Sequence, residues 1–316
     1  MMNAPSTAWK EIIAPDEAER FARQSDLIRA AHAFKNAKYG KGRFLHRKPL
    51  LAARAKVEIF DNLPEPARAG LFERPGEYEA LVRLSNGAFD LQANTKPDIR
   101  GFALKVLGVS GPAALGGTAD HQDFLLINHD TFLVRTSDEF IAQVTLMAHK
   151  GELGLVWMLF KTYGLGGGLQ RVKRVLATLG KSFPGFAAET FSTVLPVAIG
   201  DYAARVRVKP RTPMPRGSAD IAADMAAKLA QGEVVYDIEL QFFVDEAVTP
   251  IEDPTVAWPE AASPFVKVGA LTLLAAGADV EGLAFDPWSG LAAHRPLGEL
   301  MRARKVAYYL SQAGRS

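Results

Sequence analysis

Two periods of apolar residues alternate along the chain. Residues 17–37 follow a helical pattern, and 64–72 read as a short helix after a turn at Asp61-Asn62. Strands then dominate: 56–60, 81–85, 102–107 and 124–128 are short runs rich in apolar and β-branched residues, bounded by Gly, Pro, Asn or Asp. Together they predict an antiparallel sheet. Thr136 and Glu139 form a T-x-x-E capping box, so a helix begins there and carries Phe140 in its first turn. A further helical stretch covers 169–181, and strand patterning returns at 204–208, 233–244 and 266–274, with 251–260 as a Pro-punctuated loop. Strands in two groups, separated and flanked by helices, suit an α+β domain built on a barrel.

The apolar stretch 151–168, GELGLVWMLFKTYGLGGG, is interrupted by Lys161 and by glycines and falls short of the ~20 residues a membrane span needs. It reads as a buried helix with a Gly-rich turn, the alternative being a lipid-facing lid. Its GLGGG lacks the Lys-Ser/Thr of a phosphate loop. With 316 residues and 48% hydrophobic content the chain can bury one large core, spanning 41–316, behind an N-terminal helical arm at 1–40. The 37 Lys and Arg nearly balance 35 Asp and Glu and are scattered, which gives no footprint for nucleic acid. There is no cysteine, hence neither a disulfide nor a thiolate ligand. The N-terminus lacks the basic start and apolar run of a signal peptide, so a cytoplasmic location is the default. His32, His121, His129, His149 and His294 are not spaced as a metal cluster and receive no role.

Chemistry first shows at the C-terminus, in RARKVAYYLSQAGRS. On a 3.6-residue helix, Arg304, Tyr308 and Arg315 fall within roughly 60° of one another and form one polar stripe. An Arg one turn before a Tyr favours the phenolate and lowers its pKa from about 10, and a phenolate can ligate ferric iron. Tyr309 lies about 100° away around the helix. Further upstream, 83–105 reads RLSNGAFDLQANTKPDIRGFALK, an R-x-S followed by D-x-R-G-F-A-x-K; 43–46 reads RFLH; and 122–140 reads QDFLLINHDTFLVRTSDEF.

These blocks, in this order, resemble the haem catalases, most closely over 41–140 and again in the last helix. Full-length catalases are longer, so the resemblance is to the short catalase-related peroxidases and to the catalase-like domains that rearrange fatty-acid hydroperoxides. It implies an eight-stranded antiparallel β-barrel with flanking helices, and haem b as cofactor. His46 would be the distal acid/base, with Ser85 fixing its tautomer. Tyr308 would ligate iron, supported by Arg304. Arg43, Arg83 and Arg315 would pair the haem propionates, and Phe140 would pack on the distal face. Aligned without gaps, the family's distal asparagine falls on Ile127; a shift of one residue places it on Asn128, the polar choice. The stretch after His46, RKPLLAARAKVEI, lacks the Gly-rich continuation usual in large catalases, so the pocket wall differs there.

The function so implied is a peroxidase reducing hydrogen peroxide or organic hydroperoxides, with weak catalase activity as a side reaction. Two alternatives stand beside it. One is rearrangement or cleavage of fatty-acid hydroperoxides, with Leu50, Leu51 and 157–160 lining the way in. The other is a non-catalytic haem sensor or store, which would need Tyr308 and Arg304 but not His46. The reducing co-substrate is unnamed, and a homodimer is compatible with the resemblance.

Overall fold

The computed structural model describes residues 4–313. Helix α1 (Glu17–Tyr39) leads into β1 (Pro49–Ile59), β2 (Gly76–Asn86), β3 (Arg100–Pro112) and β4 (Thr118–Ile127). After α2 (Ser137–Leu179) come β5 (Phe191–Ser192), β6 (Val197–Ile199) and β7 (Tyr202–Pro210). Helix α3 (Ile221–Gln231), β8 (Val234–Phe242), β9 (Phe265–Ala276) and α4 (Glu299–Ala313) complete the chain. Every strand pairing is antiparallel, in the order β5-β4-β3-β2-β1-β9-β8-β7-β6. Because β5 also pairs with β7, eight strands close into a barrel and β6 extends from its seam. Closure removes the sheet edges that would otherwise template aggregation.

The period of two fills this barrel. Val57 and Ile59, Val82 and Leu84, Phe102 and Leu104, Phe124 and Leu126, and Ile238 and Leu240 alternate with outward neighbours and form one buried cluster. Buried Tyr236 donates its hydroxyl hydrogen to the Phe186 carbonyl at 2.9 Å, which satisfies the one polar group it brings inside.

The strand predictions at 81–85, 102–107, 204–208, 233–244 and 266–274 fall within or on β2, β3, β7, β8 and β9. Elsewhere the structure differs for physical reasons. The 64–72 helix is two 3-10 turns, Glu65–Ala67 and Gly70–Phe72. The helical stretches after Thr136 join into one long segment, α2, bent at Gly151 (φ 64°) and Gly164 (φ 68°), where only glycine turns without strain. The Thr136 hydroxyl accepts the Glu139 N–H at 3.3 Å, as the capping box requires.

Helix α1 packs against α2 through Ile28, Ala31 and Ile141 and through the hydrogen bonds of Gln24 to Ser137 and Asp138, and it meets α4 where Arg20 pairs with Glu299 at 3.2 Å. Arg302 on α4 gathers Glu11, Glu17 and Glu252, fastening the N-terminal segment to the last helix. Among the described residues no helix is long and apolar enough to cross a membrane.

His294 packs against the barrel core, its ring 5.2 Å from that of Phe72 and 6.0 Å from that of Phe124. It is buried, its Nε2 accepts the Leu71 N–H at 2.9 Å, and Nδ1 lies 3.3 Å from the Ala198 carbonyl oxygen. Burial pushes its pKa down from 6.5 to about 4, against the raising effect of the Ala198 carbonyl. A group with a depressed folded pKa stabilises the fold above the unfolded pKa and loses that contribution as pH falls from 6.5 to about 4. His294→Leu should therefore flatten the pH dependence of unfolding free energy across this window by roughly 3 kcal/mol, whatever it costs at neutral pH. Denaturant titrations of both proteins check this, and equal slopes would show that His294 does not carry the effect.

Candidate functional site

Alternation on β2, β3 and β4 has a second product, on the outer face of the barrel. Strand register aligns Ser85 with Gly101 and Ile127 in one row, Arg83 with Ala103 and Leu125 in the next, and Leu81 with Lys105 and Asp123 in a third. The first two rows line a cavity of about 700 Å³, a size common for cofactor and small-molecule sites. Helix α2 contributes Phe140, Gln143, Val144 and Met147 to its walls, and α4 contributes Arg304 and Tyr308.

His46 lies over the first row. Its backbone is in the left-handed region (φ 50°), held by its N–H to the Gly87 carbonyl (3.1 Å) and by the Arg83 guanidinium, which donates to its carbonyl (2.8 Å). Val194, another cavity-lining residue, is also left-handed (φ 62°), a costly state for a β-branched residue. Among the described residues, two of the three such non-glycine residues thus face one cavity, the pattern of strain held at functional sites. The imidazole Nδ1 sits 3.0 Å from the Ser85 hydroxyl, leaving Nε2 for a bound molecule. A Cβ on Gly101 would lie 2.4 Å from that Nδ1, so the glycine of the R-G-F motif makes room for the ring.

Arg43, Arg83 and Arg304 all line the cavity. Burial, then the charges of Arg83, Arg304 and Arg43, push the His46 pKa down from 6.5 to about 3, so its imidazole is neutral at physiological pH. Arg304 donates to the Tyr308 hydroxyl at 2.6 Å, with its guanidinium 5.3 Å from the phenol ring and 5.9 Å from that of Phe140. The sequence implied a phenol pKa lowered by this arginine. In the structure the net direction is upward: burial dominates, Asp286 adds to it, and Arg304 only offsets them.

His46, Arg43, Arg83, Ser85, Phe140, Arg304 and Tyr308 therefore share one cavity, whereas Arg315 lies outside the described residues. Asn128 is not among the lining residues. It belongs to the inward-alternating row with Arg100 and Asn86, where its Oδ1 accepts the Arg100 N–H at 2.7 Å. Ile127, one residue earlier, faces the cavity, because a one-residue step along a strand turns the side chain to the other face. The ungapped alignment position is thus the one that faces the cavity, and its side chain is apolar.

Two features escaped sequence reasoning. His129 lines the cavity two residues beyond Ile127, its Nε2 buried without a hydrogen-bond partner. Burial and the Lys181 charge push its pKa down to about 4. Lys105, the lysine of the R-G-F-A-x-K motif, pairs with buried Asp123 at 2.7 Å, and Asp123 Oδ2 accepts the Asp286 N–H at 2.9 Å. This chain fixes the loop that carries cavity-lining Phe285 and places Asp286 near Tyr308. A buried ion pair on adjacent strands was legible only as a motif letter.

These residues suit a prosthetic group carrying carboxylates and its own metal donors. Among the described residues no three His, Cys, Asp or Glu side chains gather as a cation site, while a phenol, three guanidiniums and apolar walls converge. Guanidiniums match carboxylates bidentately, and the phenol would offer one oxygen donor to a metal.

Comparison with solved structures finds catalases. A fungal catalase superimposes with TM-score 0.70 at 16% identity, covering 100% of this chain and 65% of that one. A bacterial catalase gives 0.69 at 17%, covering 99% and 63%. Catalase A from Saccharomyces cerevisiae gives 0.68 at 16%, covering 100% and 67%. The chain spans about two thirds of their length, and at this identity the likeness is one of fold. No protein-family profile and no curated protein matches the sequence. The fold is catalase-like: a closed eight-stranded antiparallel barrel with flanking helices.

Gly101→Ala tests the construction of the site. The added methyl should displace the His46 ring, break its contact with Ser85 and cost about 1–3 kcal/mol of stability. The His46 ring resonances and the unfolding midpoint report both, and unchanged resonances would show that Gly101 is not what admits the imidazole.

Proposed function

We propose that the chain is a haem-dependent peroxidase acting on hydrogen peroxide and organic hydroperoxides, with dismutation of hydrogen peroxide as a weak side activity. The carrying observation is that neutral His46, braced by Ser85, and the Arg304–Tyr308 pair open on one cavity of a catalase-like fold. Haem b, when bound, would supply the redox-active iron, with Tyr308 as its protein ligand. Arg43 and Arg83 would hold its carboxylates and Phe140 would pack on the ring.

The chain's own residues then account for proton movement. If Nδ1–H donates to the Ser85 oxygen, His46 Nε2 carries the lone pair that accepts the hydroperoxide proton and later delivers it to the leaving oxygen. Burial is the main cause of the depressed His46 pKa, but Arg83 and Arg43, which add to it, are groups that carboxylates would neutralise, so loading of the cavity would relieve that part of the depression. Overall the hydroperoxide takes up two electrons and two protons and leaves as alcohol and water, the electrons coming from a separate reductant. Ile127, Phe132, Val144 and Met147 give the walls an apolar character that accommodates alkyl groups.

The same apolar lining favours a second reading, rearrangement of a fatty-acid hydroperoxide, which consumes no reductant. Product analysis with and without an electron donor separates the two.

His46→Ala distinguishes an enzyme from a haem carrier. Haem content should match wild type, while the first reaction with peroxide slows by at least about 10²-fold, the lower range for acid/base assistance. Stopped-flow mixing with hydrogen peroxide and with an alkyl hydroperoxide reads this directly. An unchanged rate with both oxidants would remove His46 from the mechanism and favour the sensor or store.

A further inference from the structure

Beyond Gly151, α2 folds back as a helical hairpin, 152–163 and 165–179, whose outer side is unusually apolar. Leu153, Trp157 and Lys161 recur at i+4 on the first helix and Leu165, Leu169 and Lys173 on the second, each triplet on one stripe. Leu153 is 85% exposed, Leu165 83% and Trp157 59%, and Leu169 and Leu176 are exposed as well. The inner side is satisfied: Leu155 and Leu159 are buried, and Gly168 touches Phe160 so closely that a Cβ would lie 2.8 Å from its Cα. The apolar outer face is therefore not a deficit of core packing.

Charge identifies what the face fits. Between 141 and 181 the only acid is Glu152, which Lys96 meets at 3.5 Å, while Lys150, Lys161, Lys173 and Arg174 are exposed. Lys161 Nζ lies 4.9 Å from the centre of the Trp157 ring, an apolar body with a cationic tip. A second copy of the chain would oppose these cations to themselves across an isologous contact. An anionic lipid surface complements them and takes up the Leu and Trp side chains. The hairpin also borders the cavity: Leu153, Leu155, Val175 and Leu179 line it, and Leu153 is both lining and largely exposed, which places the mouth at this face.

We propose that the hairpin 152–179 is an interfacial docking surface for an anionic lipid bilayer, lying in its plane and presenting the cavity mouth to the acyl chains. No helix here spans a membrane, so the attachment is peripheral. A consequence, which rests on the peroxidase reading whereas the docking does not, is that lipid hydroperoxides enter the cavity from the bilayer.

The test is co-sedimentation of the full chain with phosphatidylcholine vesicles with and without about one-third phosphatidylglycerol. Wild type should partition at least about tenfold more strongly onto the anionic vesicles, with a blue shift in tryptophan emission that Trp157→Phe abolishes. The double variant Trp157→Ser, Leu165→Ser changes two exposed side chains; it should keep the wild-type unfolding midpoint and haem uptake yet lose at least about tenfold in partitioning. Absence of vesicle binding overturns the proposal. So does vesicle binding that the double variant retains, or a concentration-dependent dimer that it dissolves without any lipid binding, which would make the face a contact between copies. Vesicle binding is read without turnover, so its failure and failure of the peroxidase reading are separate results.

Discussion

The imidazole of His46 occupies the space that a side chain at position 101 would fill. That single close approach, 2.4 Å from a notional Cβ to Nδ1, explains a chain of other features. It requires glycine opposite Ser85 in the strand register, so that hydroxyl and ring can meet. It requires the left-handed backbone at His46, held by Gly87 and Arg83 rather than by local preference. The barrel supplies the rigid platform: the residues that alternate inward on β2, β3 and β4 form its core, and those that alternate outward form the cavity wall. A functional surface built on paired strands is held more precisely than one built on loops.

Burial and like charge set the electrostatics of the cavity. Three guanidiniums and a neutral imidazole line a cavity in which burial also raises the Tyr308 pKa, leaving the phenol protonated and only partly offset by Arg304. The occupant proposed above, anionic and Lewis-acidic, would act on both groups. Carboxylates would relieve the positive charge near His46, and a ferric ion would displace the phenol proton.

Much of this was legible in the sequence, because the relevant signals are short and local. The R-x-x-H and R-G-F-A-x-K blocks, the capping box at Thr136 and the i, i+4 relation of Arg304 to Tyr308 each describe residues within a few positions of one another. What was missed depends on neighbours far along the chain. Choosing Asn128 over Ile127 was a choice of chemistry over strand phase, and the pleat decided otherwise. Strands β5 and β6 are too short to carry a periodic signal, and α3 went unread. The direction of the Tyr308 shift needed a burial that no i, i+4 spacing reveals. Nor could a motif letter show that Lys105 meets Asp123 across two strands and, through it, the loop at Asp286.

The central claim is that this cavity holds haem through Tyr308. Tyr309, its neighbour, is 70% exposed and so points away from any buried ligand. The direct measurement is titration of the chain with ferric haem, followed by absorption spectroscopy of wild type, Tyr308→Phe and Tyr309→Phe. Wild type and Tyr309→Phe should give a stoichiometric high-spin ferric complex with phenolate charge-transfer bands, and Tyr308→Phe should lose those bands and most of its affinity. A histidine-ligated spectrum in the wild type, or the same phenolate bands in Tyr308→Phe, would contradict it.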